Sequence, residues 1–137
     1  MNKIEFISNA NLTLSAVQLL EMDYPEMISE KYSYDFSIRI NGNTFFDCGD
    51  NSFTLIEFLQ AVVRWAYRKE DLLYYSIETD DNPLISFVRE DDGLYSIHSP
   101  WQLFKCNEHF SFEQLISVLD LVNVELKDNG NMSGKDN

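Results

Sequence analysis

The two histidines and their neighbours are the first places to look for catalytic or metal chemistry. His98 and His109 flank Cys106 and Glu108, so imidazole, thiol and carboxylate groups occur close together in the chain. They could hold a metal, or Cys106 could be a nucleophile with a histidine as its base, but neither arrangement has a known spacing. Motifs for phosphate loops, dinucleotides, serine hydrolases and zinc helices are also absent from the sequence. We therefore expect no catalytic residue, no metal and no cofactor.

Carboxylates gather at two predicted turns. The six acids are Glu78, Asp80, Asp81, Glu90, Asp91 and Asp92. Because a strand rises about 3.3 Å per residue, the two groups lie roughly 20 Å apart at opposite ends of one strand and cannot form a single acid/base pair. Solvated turns and a partner-binding surface both fit these groups. Calcium binding also stays open at either turn, although the acid spacing of an EF-hand is absent.

The two tryptophans are further candidates for contact with a partner. Trp65 lies at the margin of the apolar face of a predicted helix, where it either seals the core or stands at an interface. Trp101 follows Pro100 and is expected to be more exposed. A partly exposed tryptophan beside acids is typical of an interaction hot spot. We therefore add Trp65 and Trp101 to the six acids as candidate partner-binding residues.

The charge balance is the one unusual bulk property. The chain has 23 acids and 10 bases, a formal net charge of −13. A negative field of this size opposes direct binding to nucleic acid and to anionic membranes. It fits either simple solubility or a basic protein partner, whose association would be accelerated and would depend on salt.

Cysteine usage and the N-terminal sequence predict a cytoplasmic protein. Cys48 and Cys106 lie far apart without a CxxC spacing, which favours reduced, packed thiols. An acid, Glu5, lies near the start of the chain, where a secretory signal would have an apolar run. No apolar run approaches the roughly 20 residues that span a bilayer.

Two helices should position these groups. Residues 53–68 have apolar side chains at helical spacing, and Thr54 with Glu57 three residues later predicts a capping box at the start. A second helix begins after Ser111, with Gln114 in the same capping position. The broad apolar face of the first helix is expected to pack on a sheet.

The strands are predicted from alternation and turn residues. They cover residues 3–7, 31–40, 43–47, 72–78, 84–89, 94–98 and, as a short edge strand, 103–106. Asn41-Gly42 favours a type I′ hairpin turn. The short turns within residues 72–98 make that stretch an antiparallel meander, since a parallel crossover needs a dozen residues or more. For residues 12–20 a strand and a short helix both fit, and the alternation in the first part favours the strand.

These elements predict an α+β fold. We expect a mostly antiparallel sheet of about five to seven strands with two helices packed on one face. Residues 1–126 should form a single domain, since this length can bury an independent core. Residues 127–137 have almost nothing to bury and are predicted to be a disordered C-terminal tail.

A resemblance to a class of bacterial proteins rests on residues 31–104. In order, this stretch contains a strand, Asn41-Gly42, Phe45-Phe46-Asp47, the helix with Glu57-Phe58-Leu59, Tyr75, turns at Pro83 and Gly93, and Ser99-Pro100-Trp101. It resembles small acidic uncharacterised domains of the immunity-protein type, some of which lie beside polymorphic toxin genes. The resemblance implies a protein that binds and neutralises a toxin without catalysis.

Three functions follow as hypotheses. The first is a non-catalytic acidic binding protein, most simply an immunity or inhibitor protein that neutralises a basic toxin or nuclease-like partner. The second is a small enzyme or ligand-binding domain with a site built from His98, Tyr75 and Glu78. The third is a structural homo-oligomer, such as a homodimer formed through an exposed sheet edge. High negative charge without a catalytic motif favours the first.

Overall fold

A computed structural model describes residues 2–126 of the chain. Its strands are β1 (Ile4–Ser8), β2 (Phe36–Ile40), β3 (Asn43–Asp47), β4 (Leu72–Tyr74), β5 (Ile85–Arg89) and β6 (Tyr95–His98). Its helices are α1 (Ala16–Glu21), α2 (Tyr24–Met27), α3 (Thr54–Arg68) and α4 (Phe112–Ile116), with 3₁₀ turns at Glu30–Tyr32 and Ser117–Val122. The α+β class is confirmed, and the predicted tail at residues 127–137 lies outside the described residues.

The strands form two antiparallel sheets of three strands each, in the orders β1-β2-β3 and β4-β5-β6. The prediction of one sheet of five to seven strands is therefore wrong. Helix α3 explains the division, because both sheets pack against it. The ring of Phe58 lies 5.6 Å from that of Phe36 in β2 and 5.9 Å from that of Phe87 in β5. A helix enclosed in this way is buried on more than one face, and eleven of the fifteen α3 residues are buried.

The first sheet contains the predicted hairpin. Strands β2 and β3 pair antiparallel, with Ile40 opposite Asn43. Asn41 and Gly42 have φ values of 50° and 87°, as a type I′ turn requires at both central positions. These angles confirm the predicted turn, whose sequence signal depends on two neighbouring residues only. The second strand is shorter than predicted, since it begins at Phe36 rather than at residue 31.

The second sheet is the predicted meander. Strand β5 pairs antiparallel with β4 on one side and with β6 on the other. Strand β4 ends at Tyr74, short of the predicted residue 78, and a loop over residues 75–84 follows it. Residues 103–106 are not a strand, although Leu103 N–H donates to Phe45 O of the first sheet at 2.9 Å and the Phe104 ring packs on the edge of Phe45.

Residues 16–21 are helical, so the strand favoured for residues 12–20 is wrong. Ser15 caps α1: its side chain accepts from Gln18 N–H, and the Gln18 side chain accepts from Ser15 N–H. At the other end, Gln60 Nε2 of α3 donates to the carbonyl oxygens of Leu19 and Met22, at 2.7 and 3.0 Å. A local cap and a distant donor thus satisfy both ends of a helix too short to form alone.

Residues 2–126 contain four α-helices rather than two, and α3 begins differently from the prediction. Its cap position is Phe53, which makes no side-chain capping bond, and Thr54 is the first helical residue. The predicted capping box of Thr54 and Glu57 is therefore wrong. The box at Ser111 and Gln114 of α4 is confirmed.

Candidate functional site

The loop that carries the first acidic turn is held by one asparagine side chain. Asn82 Oδ1 accepts from Ser76 N–H at 2.8 Å, and Asn82 Nδ2 donates to Ser76 O and Thr79 O at 3.0 and 2.7 Å. These three bonds close the loop on itself and fix the backbone that carries Asp80 and Asp81. Both acids are exposed. The turn therefore presents its carboxylates from a defined backbone.

Two of the predicted partner-binding residues meet at this loop. Trp101 Nε1–H donates to Asp81 Oδ2 at 2.8 Å. The indole stacks on the buried ring of Phe46, with centroids 6.0 Å apart and planes inclined by 9°. Trp101 is half-buried and held on one side by β3 and on its polar edge by Asp81. The arrangement is a pre-ordered aromatic side chain beside an acid, the type of group that dominates many interfaces.

The loop that carries Asp81 also has two exposed apolar side chains. Tyr75 and Ile77 flank the buried Ser76 in the same loop and are 58% and 55% exposed. We call the group formed by Tyr75, Ile77, Asp80, Asp81 and Trp101 the Trp101 surface. Beside it runs an open groove of about 510 Å³. The groove is lined by Asn82, Pro83, Ser86, His98, Ser99, Pro100 and Gln102.

Glu78 is exposed, but its carboxylate is also engaged within the fold. Glu78 Oε1 accepts from Ser52 Oγ at 2.7 Å and from Thr54 Oγ1 at 2.9 Å. Ser52 Oγ in turn accepts from Thr54 N–H at 3.0 Å. A negative charge at the first turn of α3 also interacts favourably with the helix dipole. Glu78 therefore closes the start of α3 from a distant part of the chain.

The second acidic turn is tied to the loop before α4. Asp92 Oδ2 lies 2.8 Å from His109 Nδ1, and Asp92 Oδ1 accepts from Leu94 N–H at 3.0 Å. The hydrogen bond with Asp92 raises the pKa of His109, and the same bond lowers the pKa of Asp92. Glu90 accepts from Ser96 Oγ at 2.6 Å, while Asp91 is exposed. Two of the three carboxylates of this turn thus have partners within the chain.

One protein family matches most of the chain. The family is described as a domain of unknown function, DUF7878, and its profile matches residues 21–129, more than three quarters of the sequence. The chain belongs to this family. No curated protein and no solved structure gives a match. The residues matched by DUF7878 include the whole Trp101 surface and both acidic turns, and they leave out β1.

Trp65 does not reach the surface, which removes it from direct contact with a partner. It is 1% exposed, and its ring centroid lies between 5.1 and 5.4 Å from those of Phe87, Tyr95 and Phe112. Its indole N–H donates to Glu70 O just beyond the helix. Of the two interpretations of Trp65, the core position is the one observed. The α3 helix places it between β5, β6 and α4 rather than at the rim.

The alternative site of His98, Tyr75 and Glu78 is not assembled as a hydrogen-bonded group among the described residues. His98 Nε2 instead lies 2.8 Å from Ser96 Oγ, the same hydroxyl that contacts Glu90. A carboxylate is the stronger acceptor, so the hydroxyl donates to Glu90 and accepts from His98. In this direction His98 is a donor to Ser96 and not its base.

The thiols and the second histidine do not form a reactive or metal-binding group. In residues 2–126, no cluster of three or more His, Cys, Asp or Glu residues is placed to hold a metal ion. Burial raises the pKa of Cys48 to about 11 and also raises the pKa of Cys106, so neither thiol is activated.

None of the described helices is long and apolar enough to cross a membrane.

Two features escaped the sequence analysis. The carboxylate of Glu57, 4% exposed, accepts from Tyr74 Oη at 2.5 Å and from Ile77 N–H at 3.4 Å. Burial and this carboxylate raise the pKa of Tyr74 strongly. Four exposed apolar residues also lie in or next to α1 and α2, namely Val17, Leu20, Tyr24 and Ile28. Their spacing of three and four residues was the available signal, but the strand interpretation of residues 12–20 concealed it.

Proposed function

We propose that the protein is a non-catalytic binding protein that neutralises a basic protein partner, as an immunity protein does. The observation that carries this proposal is the Asp81–Trp101 contact on the surface of a chain with net charge −13. The contact supplies an ordered aromatic group and a fixed carboxylate at one place, which is the composition of an interface hot spot.

The geometry gives each part of the Trp101 surface a task in binding. Because Phe46 and Asp81 already hold the indole, little side-chain entropy is lost when a partner covers it. Asp80 and the second oxygen of Asp81 can then pair with lysine or arginine side chains of the partner. Tyr75 and Ile77 supply apolar area beside these charges. The wider negative field would accelerate the encounter.

We also propose a cytoplasmic location, as the sequence analysis predicts. Cys48 and Cys106 are both free thiols. Thiols persist in a reducing compartment, whereas secreted domains of this size commonly contain disulfides. A basic toxin or nuclease-like partner acting inside the cell would be met there.

The proposal is tested by titration against the basic proteins encoded next to its own reading frame. We expect one of them to bind with a dissociation constant that rises at least tenfold between about 50 and 300 mM salt. Trp101→Ala should weaken this binding by tenfold or more, and Asp80→Asn with Asp81→Asn should weaken it and flatten the salt dependence.

Asp91→Asn is the matched control, since it removes one exposed acid from the other end of β5. It should change the affinity by less than about threefold. Binding that ignores salt, or that is equally weakened by the variants at both ends, would contradict the assignment to the Trp101 surface. The absence of any basic partner would contradict the function itself.

A further inference from the structure

Four large apolar residues lie exposed along α1 and α2. Val17, Leu20, Tyr24 and Ile28 are between 36% and 60% exposed. Val17 and Leu20 are three residues apart in α1 and share one face of that helix, while Tyr24 is the first residue of α2 and Ile28 is the residue that follows its last. Isolated exposed apolar residues are normal, but a concentration of them in twelve residues marks an interaction site.

The opposite side of this segment is fixed to the core. Leu19, Met22 and Met27 are buried, and the two bonds from Gln60 hold the end of α1 against α3. The four exposed residues therefore lie on an anchored segment. Because the segment is held in this way, it cannot rotate to bury these four side chains.

The segment that carries these apolar residues is acidic. Residues 15–30 contain four acids and no base, and all four acids are exposed. They are Glu21, Asp23, Glu26 and Glu30. A complementary ligand has apolar side chains along one side with lysine or arginine beside them. This is the pattern of a basic amphipathic helix, which binds by laying its apolar face on such a surface.

A groove at the junction of the two helices can receive one anchoring side chain. It has a volume of about 280 Å³. Its lining comprises Met22, Asp23, Tyr24, Met27, Gln60 and Arg64. Methionine side chains adapt their shape to an inserted apolar group, which suits them to line a docking site.

We propose that this α1–α2 surface, formed by the four apolar residues and the four acids, docks a basic amphipathic segment of a protein partner. It shares no residue with the Trp101 surface. It depends on neither that surface nor the neutralising function proposed above. The expected ligand is a helical segment that has apolar side chains along one face and lysine or arginine side chains beside them.

The test uses the full chain and a synthetic helical peptide of about 18 leucine and lysine residues with amphipathic spacing. A scrambled peptide of identical composition is the control for charge attraction. We expect amide chemical-shift changes in the ¹⁵N-labelled protein to concentrate on residues 16–28. The scrambled peptide should bind at least tenfold more weakly.

Variants then separate the two surfaces. Val17→Ser with Ile28→Ser changes exposed positions only and should weaken peptide binding at least tenfold, while Trp101→Ala leaves it unchanged. Glu21→Gln with Glu26→Gln keeps the four apolar residues and should weaken binding about three- to tenfold at low salt.

Three results would each overturn this proposal. Shift changes centred on the acidic turns, or equal binding of the scrambled peptide, would show general charge attraction. A sedimentation mass of two chains that falls to one in the Val17→Ser, Ile28→Ser variant would instead assign the face to a second copy of the protein.

Discussion

Helices α3 and α4 start with the same sequence pattern, a hydroxyl residue followed three positions later by glutamate or glutamine, but they are capped in different ways. In α4 the pattern works locally: Ser111 and Gln114 cap each other. In α3 the Glu57 carboxylate turns away to Tyr74 and Ile77. Ser52 and Glu78, from outside the helix, supply the polar partners at its start.

The difference follows from burial. Gln114 is half-buried, and its amide has two ends: Nε2 donates to the distant Asn2 O at 2.9 Å, which leaves Oε1 free to accept from Ser111 N–H and complete the local cap. Glu57 is enclosed, and a buried carboxylate needs strong donors on every side. Tyr74 and Ile77 provide two of them. A short sequence pattern therefore predicts a cap reliably only where no tertiary partner competes for it.

The largest effect is expected from Glu57→Ala, which removes the carboxylate that accepts hydrogen bonds from Tyr74 and Ile77. Tyr74 Oη and Ile77 N–H would lose their acceptor in the interior, so the free energy of unfolding should fall by about 3 kcal/mol. Urea denaturation measures it. Glu113→Ala, which removes the exposed first-turn acid of α4, should stay within about 0.5 kcal/mol. Similar losses of unfolding free energy in the two variants would contradict the proposed difference between the two helix starts.

A smaller effect is expected from Glu78→Ala, compared with Ser111→Ala. Each removes a cap and should lower the free energy of unfolding by about 1 kcal/mol. Only the Glu78 contribution includes a charge at the helix start, so its loss should shrink in about 1 M salt while the Ser111 loss persists. Equal salt responses in paired denaturation curves would show that the Glu78 charge is not involved.

The smallest effect is expected for the exposed contact between His109, in the loop before α4, and Asp92, in the turn between β5 and β6. Asp92 raises the pKa of His109 above 6.5, so this stabilisation is complete below 6.5 and is lost as the pH rises through the folded value. The pKa of Asp92 falls below 3.8, so its share is present above 3.8 and is lost as the pH falls through the lowered value. Both groups are charged between these limits.

His109→Gln should therefore lower Tm by a small amount at about pH 5.5 and by less at about pH 9. Asp92→Asn should show the same pH dependence, since it removes the other half of the pair. A Tm difference that is constant across this range would mean that the contact contributes only as a neutral hydrogen bond.

Sequence alone predicts the features that depend on neighbouring residues. The Asn41-Gly42 turn, the α3 helix and the meander from β4 to β6 each follow from local periodicity or turn chemistry. The division into two sheets does not, because it depends on how Phe58 meets Phe36 and Phe87 in space. Residues 12–20 were misassigned because two alternating leucines outweighed the Ser15–Gln18 cap.

The candidate site was predictable only in part. Asp81 and Trp101 were both expected to face a partner, but nothing in their separation of twenty residues indicates that they bond to each other. Trp65 shows the opposite case. Its place beside the apolar stripe of α3 left both core and rim open, and only the packing of β5, β6 and α4 around it decides between them.

The contrasting environments of the two tryptophans also give the protein two optical reporters. Trp65 is enclosed by aromatic rings, so its emission should lie towards the blue and resist quenching by acrylamide until the chain unfolds. Trp101 is half-exposed and bonded to a carboxylate, so a partner that covers it should shift its emission without disturbing Trp65. Emission spectra can therefore follow unfolding through one indole and binding through the other, with no added label.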